Sequence, residues 1–334
     1  MQYRKLGTSG MYVSAIALGN WATHGETVDQ DVATECVRKA LDLGITTFDT
    51  ADAYAGTKAE SMLGEALKGV RRESVEIMTK AFFPTGPGKN DRGLSRKHVM
   101  ESINGSLRRL QTDYVDVYQA HRYDYETPLE ETMGAFADIV HAGKAHYVGV
   151  SEWTVEEIRA GAALAAELGI RFVSSQPQYN MLWRVIEPEV VPVCEELGIT
   201  QVCWSPLAQG VLSGKYGAST VPAGSRFSDD DGGLKTEHKF MQPEVLERVE
   251  KLKPIAEDLG VPLATLAVAW VLANPNVSAA IVGASRPEQL DDTVKAAELV
   301  LERETLELID DTLGDVVERD PAKTLESSPK TREA

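Results

Sequence analysis

The chain has 334 residues, 43% of them hydrophobic and 25% charged, and a formal net charge of −17. A surface that acidic repels nucleic acid and anionic membranes, so neither is expected as a partner. The N-terminus "MQYRKLGTSG" lacks the apolar stretch of a signal peptide, and no run of about eighteen apolar residues offers a membrane span. Cys36, Cys194 and Cys203 are scattered without metal-ligand spacing, so the expectation is a cytoplasmic protein with reduced, buried thiols and no metal.

In chain order, a small hairpin turning at Thr8-Ser9-Gly10 is expected first. Eight short apolar runs follow: "VSAIALG" (13–19), "TTFDTA" (46–51), "VEIMTK" (75–80), "VDVYQAH" (115–121), "AHYVGVS" (145–151), "FVSSQPQYN" (172–180), "TQVCWSPL" (200–207) and "AAIVGAS" (279–285). Amphipathic helical segments such as "DVATECVRKALDLG" and "RKHVMESINGSLRRL" lie between them. Thr57/Glu60, Thr127/Glu130, Thr154/Glu157 and Ser285/Glu288 have the spacing of capping boxes at helix starts.

Strand followed by helix, repeated, implies parallel pairing, and continuously apolar strands imply a sheet covered on both faces. Eight such units in a chain of this length give a (β/α)8 TIM barrel. An open doubly wound sheet would carry a G-x-G-x-x-G turn after its first strand, but this one runs on as "ALGNWATHGE". Residues 1–318 are read as one barrel domain with a long Gly- and Ser-rich loop, 208–240, after strand seven. Residues 319–334 are read as a polar, loose tail.

Barrel chemistry sits at the C-terminal strand ends. Those ends are Gly19, Asp49, Lys80, His121, Ser151, Gln176, Ser205 and Ser285, with Tyr54 in the loop after strand two. A carboxylate, an ammonium, an imidazole and a phenol on one rim make a particular chemistry available. The lysine lowers the pKa of the phenol, the carboxylate holds the lysine, and the imidazole orients a carbonyl oxygen. The phenol is then a general acid for a carbonyl that receives hydride, and side chains cannot supply hydride, so a cofactor is implied.

The motifs "FDTADAY", "MTK", "QAH", "GVSEW", "QPQYN", "WSPLAQGVLSGKY" and "IVGASRPEQL" resemble those of the aldo-keto reductase superfamily, nearest the branch of potassium-channel β subunits and their bacterial relatives. The resemblance runs to about residue 315 and implies NADPH-dependent reduction of aldehydes or ketones, with a small-molecule carbonyl substrate. By it, Asp49, Tyr54, Lys80 and His121 are the catalytic tetrad. Asp49 also borders the cofactor, and Trp21 joins the wall of the cofactor and substrate mouth with Arg122, Tyr123, Tyr179 and Trp183.

The same resemblance gives Ser151 and Gln176 the nicotinamide carboxamide and Trp204 the nicotinamide ring. Ser205, Pro206, Leu207, Gln209 and Gly210 lie along the pyrophosphate, with Lys215 and Arg226 as its cationic clamp. Gly283, Ser285, Arg286, Gln289 and Asp292 hold the adenosine end, with Arg286 favouring NADPH over NADH. His121 matches the wider enzyme family, since the channel subunits commonly carry asparagine there, and Glu152 stands where they carry arginine. A nucleotide-binding regulatory subunit with little turnover is the alternative, and a homo-oligomer is compatible with either.

Overall fold

The structure is a computed structural model, and it describes residues 1–217 and 238–332. An antiparallel hairpin opens the chain, β1 (Tyr3–Lys5) with β2 (Tyr12–Ser14), pairing Tyr3 with Ser14 and Lys5 with Tyr12. Its turn is the expected one, and Ser9 Oγ donates to the Leu6 carbonyl at 2.6 Å to hold it.

Eight parallel strands then close into a barrel: β3 (Ile16–Gly19), β4 (Thr47–Asp49), β5 (Glu76–Ala81), β6 (Val115–Ala120), β7 (Ala145–Val150), β8 (Phe172–Ser175), β9 (Thr200–Cys203) and β10 (Val277–Val282). Neighbours in space are neighbours in sequence, and β10 pairs with both β9 and β3. The expected first strand is split at Ala15, where the chain leaves the hairpin for the barrel wall.

Helices α1 (Gln30–Asp42), α2 (Lys58–Ala66), α3 (Arg96–Leu110), α4 (Leu129–His141), α5 (Val155–Glu167) and α6 (Val190–Leu197) follow β3 to β8 in turn. The β9–β10 connection carries α7 (Pro243–Glu250), α8 (Lys253–Asp258) and α9 (Leu263–Ala273), and the chain continues through α10 (Gln289–Thr293) and α11 (Arg303–Leu313). Helix α9 is apolar on nearly every face because it is a core helix, buried almost throughout. Among the described residues no single helix is long and apolar enough to cross a membrane; the bent α7–α9 stretch passes on length and composition together, but turns by 88°.

Two apolar cores result. Ala17, Met78, Val117, Val173, Val202, Ala279 and Ile281 fill the barrel, and Leu6 and Val13 of the hairpin close its lower end. The larger core lies between the strands and the helices, where Phe48, Ile77, Tyr118 and Phe136 are buried. Each such side chain contributes about 2 kcal/mol by leaving water. All three cysteines are buried, as expected of small hydrophobes.

Alternation along a strand then determines the chemistry. Met78 and Val117 point into the barrel, so Lys80 and Gln119, two residues on, share that face at its upper end. Gly19 is required there for a different reason: a Cβ on it would lie 2.4 Å from Ile281 Cγ2.

Of the four capping boxes expected, one forms. Thr154 and Glu157 form a complete capping box. At α2 the cap residue Thr57 makes no side-chain cap bond, and Glu60 is drawn inside to accept from Thr79 Oγ1 at 2.5 Å and from Arg109 Nε at 2.7 Å. Thr127 donates to Asp124 instead, at 2.7 Å. At Ser285 the cap is supplied by Gln289, whose Oε1 accepts from the Ser285 and Arg286 amides at 2.8 and 3.1 Å.

The C-terminal segment also departs from expectation. Residues Pro321–Ser327 form a 3-10 helix, and the chain beyond it lies against the loop after β6. Arg122 Nε donates to the Ser327 carbonyl at 3.0 Å, Tyr123 N to Ser328 Oγ at 3.3 Å, and Arg332 Nη2 to Asp124 Oδ2 at 2.7 Å. Polar composition alone gives no sign of this, because the partners of these groups are some two hundred residues away in sequence.

Candidate active site

The upper mouth of the barrel gathers the ionisable strand ends. Lys80 Nζ, wholly buried on β5, donates to Asp49 Oδ1 at 2.6 Å, to the Thr50 carbonyl at 2.8 Å and to Tyr54 Oη at 3.2 Å. Tyr54 Oη lies 3.4 Å from His121 Nε2. The second Asp49 oxygen accepts from Gln176 Nε2 at 2.8 Å. Phe83 packs edge-on against the His121 ring at 4.9 Å, a wall residue that nothing in its sequence neighbourhood distinguishes.

Burial pushes the Tyr54 phenol above its ordinary pKa, and Lys80 opposes this without reversing it. The depression expected from the lysine is therefore present and loses to desolvation. Burial likewise pulls Lys80 down, but Asp49 and Tyr54 outweigh it and the ammonium ends above its usual value. His121 is driven well below the histidine range by burial, with Lys80 and Arg122 adding to it. At neutral pH the group is an ammonium, a protonated phenol and a neutral imidazole. That is the state in which a phenol can give up a proton and an imidazole can orient an oxygen without holding charge.

Asp52 does not join this cleft. It is wholly buried beneath it, accepts from Ser102 Oγ at 2.6 Å, and is pushed up to about 7 by burial and the nearby Glu60.

The positions expected to hold a cofactor extend from Asp49, Tyr54, Lys80 and His121 along the rim. Ser151 Oγ donates to the Gln176 carbonyl at 2.7 Å, so these two residues are paired beside Asp49. Trp21 and Trp204 meet edge to face at 6.2 Å. Trp204 Nε1 donates to Glu152 Oε1 at 2.9 Å, and the same oxygen accepts from the Gln178 amide at 2.6 Å. Glu152 thus fixes the indole, a role its sequence context did not reveal.

From Ser205 the chain coils through left-handed conformations at Ser205, Ala208, Gln209 and Gly210, with the Gln209 amide on Ser205 Oγ at 3.0 Å. Among the described residues, every left-handed residue other than glycine, Gln111 excepted, lies in the segments above the strand ends. Strain of that kind concentrates where a site needs a particular backbone. Pro206 and Leu207 sit inside this coil, and Lys215 Nζ lies 5.0 Å from the Tyr216 ring.

Gly283, Ser285, Arg286 and Gln289 stand together after β10, whereas Asp292 turns away to pair with Lys295 at 2.8 Å. Arg226 lies outside the described residues. Tyr179 is buried on Trp270, at 5.1 Å between ring centres, and Trp183 carries Lys239 Nζ at 3.0 Å over its ring. At the barrel's other end a depression of about 540 Å³ includes Asp116, but Arg72 already pairs with that carboxylate at 2.7 Å.

A closed eightfold barrel whose mouth holds a lysine-carboxylate pair against a tyrosine and a histidine is the architecture of a known family. The chain belongs to the Aldo/keto reductase family, whose profile matches residues 15–313. Among curated relatives it is similar to a "Probable voltage-gated potassium channel subunit beta" of Arabidopsis thaliana, 43% identical over 305 residues, covering 90% of this chain and 92% of the relative. It is similar also to a protein of that name from Oryza sativa subsp. japonica, 40% identical with 97% and 99% covered. A "Putative voltage-gated potassium channel subunit beta" of Schizosaccharomyces pombe is 43% identical, with 93% of each chain covered.

Proposed function

We propose that the protein is an NADPH-dependent oxidoreductase that reduces aldehydes or ketones to alcohols. The observation carrying this reading is the Lys80–Tyr54–His121 geometry: a phenol 3.2 Å from a buried ammonium and 3.4 Å from a neutral imidazole.

The donor set along the rim fits a dinucleotide. It offers a paired Ser151 and Gln176 for an amide, the face of Trp204 for a flat ring, the Ser205–Gly210 coil with Lys215 for phosphates, and an exposed Arg286 for a further anionic group. Bound NADPH supplies the hydride. The protein supplies the rest: His121 and Tyr54 bracket the carbonyl oxygen, and Tyr54 gives its proton to that oxygen as the carbon is reduced. Lys80 stabilises the phenolate left behind, and Asp49 keeps Lys80 charged in a dry site. In the oxidising direction the same phenolate takes the proton back.

The second reading is a regulatory subunit that holds nucleotide and turns over little, and the names of the relatives favour it. The complete set of Asp49, Tyr54, Lys80 and His121 favours the enzyme. Incubation with NADPH and a panel of aldehydes, followed by loss of reduced-nicotinamide absorbance, tests the two. Turnover supports the reductase; NADPH binding by fluorescence with no carbonyl consumed supports the subunit.

A further inference from the structure

Arg122 follows His121 and is half-buried against the tetrad's surroundings. Nη1 donates to the His121 carbonyl at 2.5 Å and to Ser151 Oγ at 3.2 Å, and Nε to the Ser327 carbonyl at 3.0 Å. The guanidinium carbon lies 5.5 Å from the centre of the Phe83 ring, the same ring that packs on His121. Among the described residues, two carbonyls and one hydroxyl accept its hydrogen bonds. Among the described residues no carboxylate forms an ion pair with it, and Nη2 donates to nothing yet is not among the atoms sealed from solvent.

Other part-buried arginines divide in two. Arg72, Arg109, Arg184 and Arg332 each face a carboxylate, Asp116, Glu60, Asp310 and Asp124 respectively. Arg4 and Arg92 bond only to carbonyls, those of Leu272, Val277 and Arg332, but both lie away from the tetrad, whereas Arg122 adjoins it. The carboxylate that bears on Arg122 through space, Glu152, is committed to Trp204 and Gln178. A guanidinium taken partly out of water without a counter-ion is expensive, and a site that keeps one usually uses it. The protein is otherwise strongly anionic, at −17, so an anionic substrate needs a local cation to settle near the tetrad.

Resting on the reductase reading above, we propose that Arg122 is a specificity-determining residue that binds a carboxylate on the substrate, so the preferred substrates are carbonyl compounds bearing a carboxylate. The C-terminal segment takes part indirectly, because Ser327 holds the Nε side and leaves Nη2 for the ligand. Arginine suits this task because its fork matches a carboxylate's two oxygens.

The test compares 4-carboxybenzaldehyde with 4-nitrobenzaldehyde, planar and similar in shape, one charged and one neutral. In Arg122→Met the ratio of the two kcat/KM values, carboxylate over nitro, falls about tenfold to a hundredfold relative to wild type, the scale of a lost charge-assisted hydrogen bond, and the fall is carried by KM. Arg122→Lys, which keeps the charge and loses the fork, falls between the two. An unchanged ratio overturns the proposal.

Calorimetric titration of the NADP-loaded protein with benzoate reads the site without turnover, and binding weakens by a similar factor in Arg122→Met. Equal benzoate binding in wild type and variant overturns the proposal. Reduction of the nitro compound with an unchanged ratio leaves the reductase reading standing while this one fails. Benzoate binding that depends on Arg122, with neither aldehyde reduced, supports the anion site and removes the reductase reading instead.

Discussion

Glu152 Oε1 takes two hydrogen bonds at once, from Trp204 Nε1 at 2.9 Å and from the buried Gln178 amide at 2.6 Å. One carboxylate oxygen therefore ties the indole of the cleft to the end of β8, from a backbone held in the left-handed region at φ 57°. Glu152→Ala leaves two donors without an acceptor and is expected to cost about 2 kcal/mol or more, whereas Glu152→Gln keeps an acceptor and costs less. Thermal melting separates the variants by a few degrees. Titration of tryptophan fluorescence with NADPH shows weaker binding in the alanine variant, because the ring is no longer held in place.

Asp49 and Lys80 form a buried pair whose charges depend on each other. In Asp49→Asn, Lys80 keeps an oxygen to donate to but loses the charge that offset its burial. Its pKa falls, and that of Tyr54 falls with it, since Asp49 also raises the phenol. The alkaline limb of the pH–kcat profile therefore moves to lower pH, and kcat at neutral pH drops by about tenfold or more. Rate profiles of wild type and variant across the alkaline range check this. A limb that stays in place contradicts the coupling.

Asp52 gives the fold a pH dependence with the opposite sign to the usual carboxylate. Its folded pKa is raised to about 7, above the value of an exposed aspartate, by burial and then by Glu60. Between the two values the folded protein holds a proton that the unfolded chain has released. Stability is fully present below about pH 4 and declines as pH rises toward 7, by at most on the order of 4 kcal/mol. Asp52→Asn, which mimics the protonated form, removes that decline. Melting temperatures of both proteins from about pH 5 to about pH 8 show wild type losing ground to the variant. Parallel curves contradict the assignment.

The barrel, and the meeting of Asp49, Tyr54, Lys80 and His121 at its mouth, were legible in the sequence because both depend on short-range pattern. Continuous apolar runs betray strands covered on both faces, and a polar residue ending such a run, as Asp49 and Lys80 do, has nowhere to go but the rim. What escaped depended on distant partners. The capping-box spacing at Thr57 was real, but Glu60 found Thr79 and Arg109 inside the protein. The segment from Arg319 looked unstructured because its anchors, Arg122, Tyr123 and Asp124, are contributed by another loop. The lowering influence of Lys80 on Tyr54 follows from charge alone, whereas the burial that outweighs it and leaves the phenol raised needed the fold.

The central claim is that Tyr54, beside Lys80, is the proton source for carbonyl reduction. The direct measurement is kcat for aldehyde reduction by wild type and Tyr54→Phe, with NADPH affinity of each measured by fluorescence. The account predicts that the variant still binds NADPH and that its kcat falls about a hundredfold or more, the scale of a lost general acid. Equal kcat in the two proteins, with coenzyme bound in both, would contradict it.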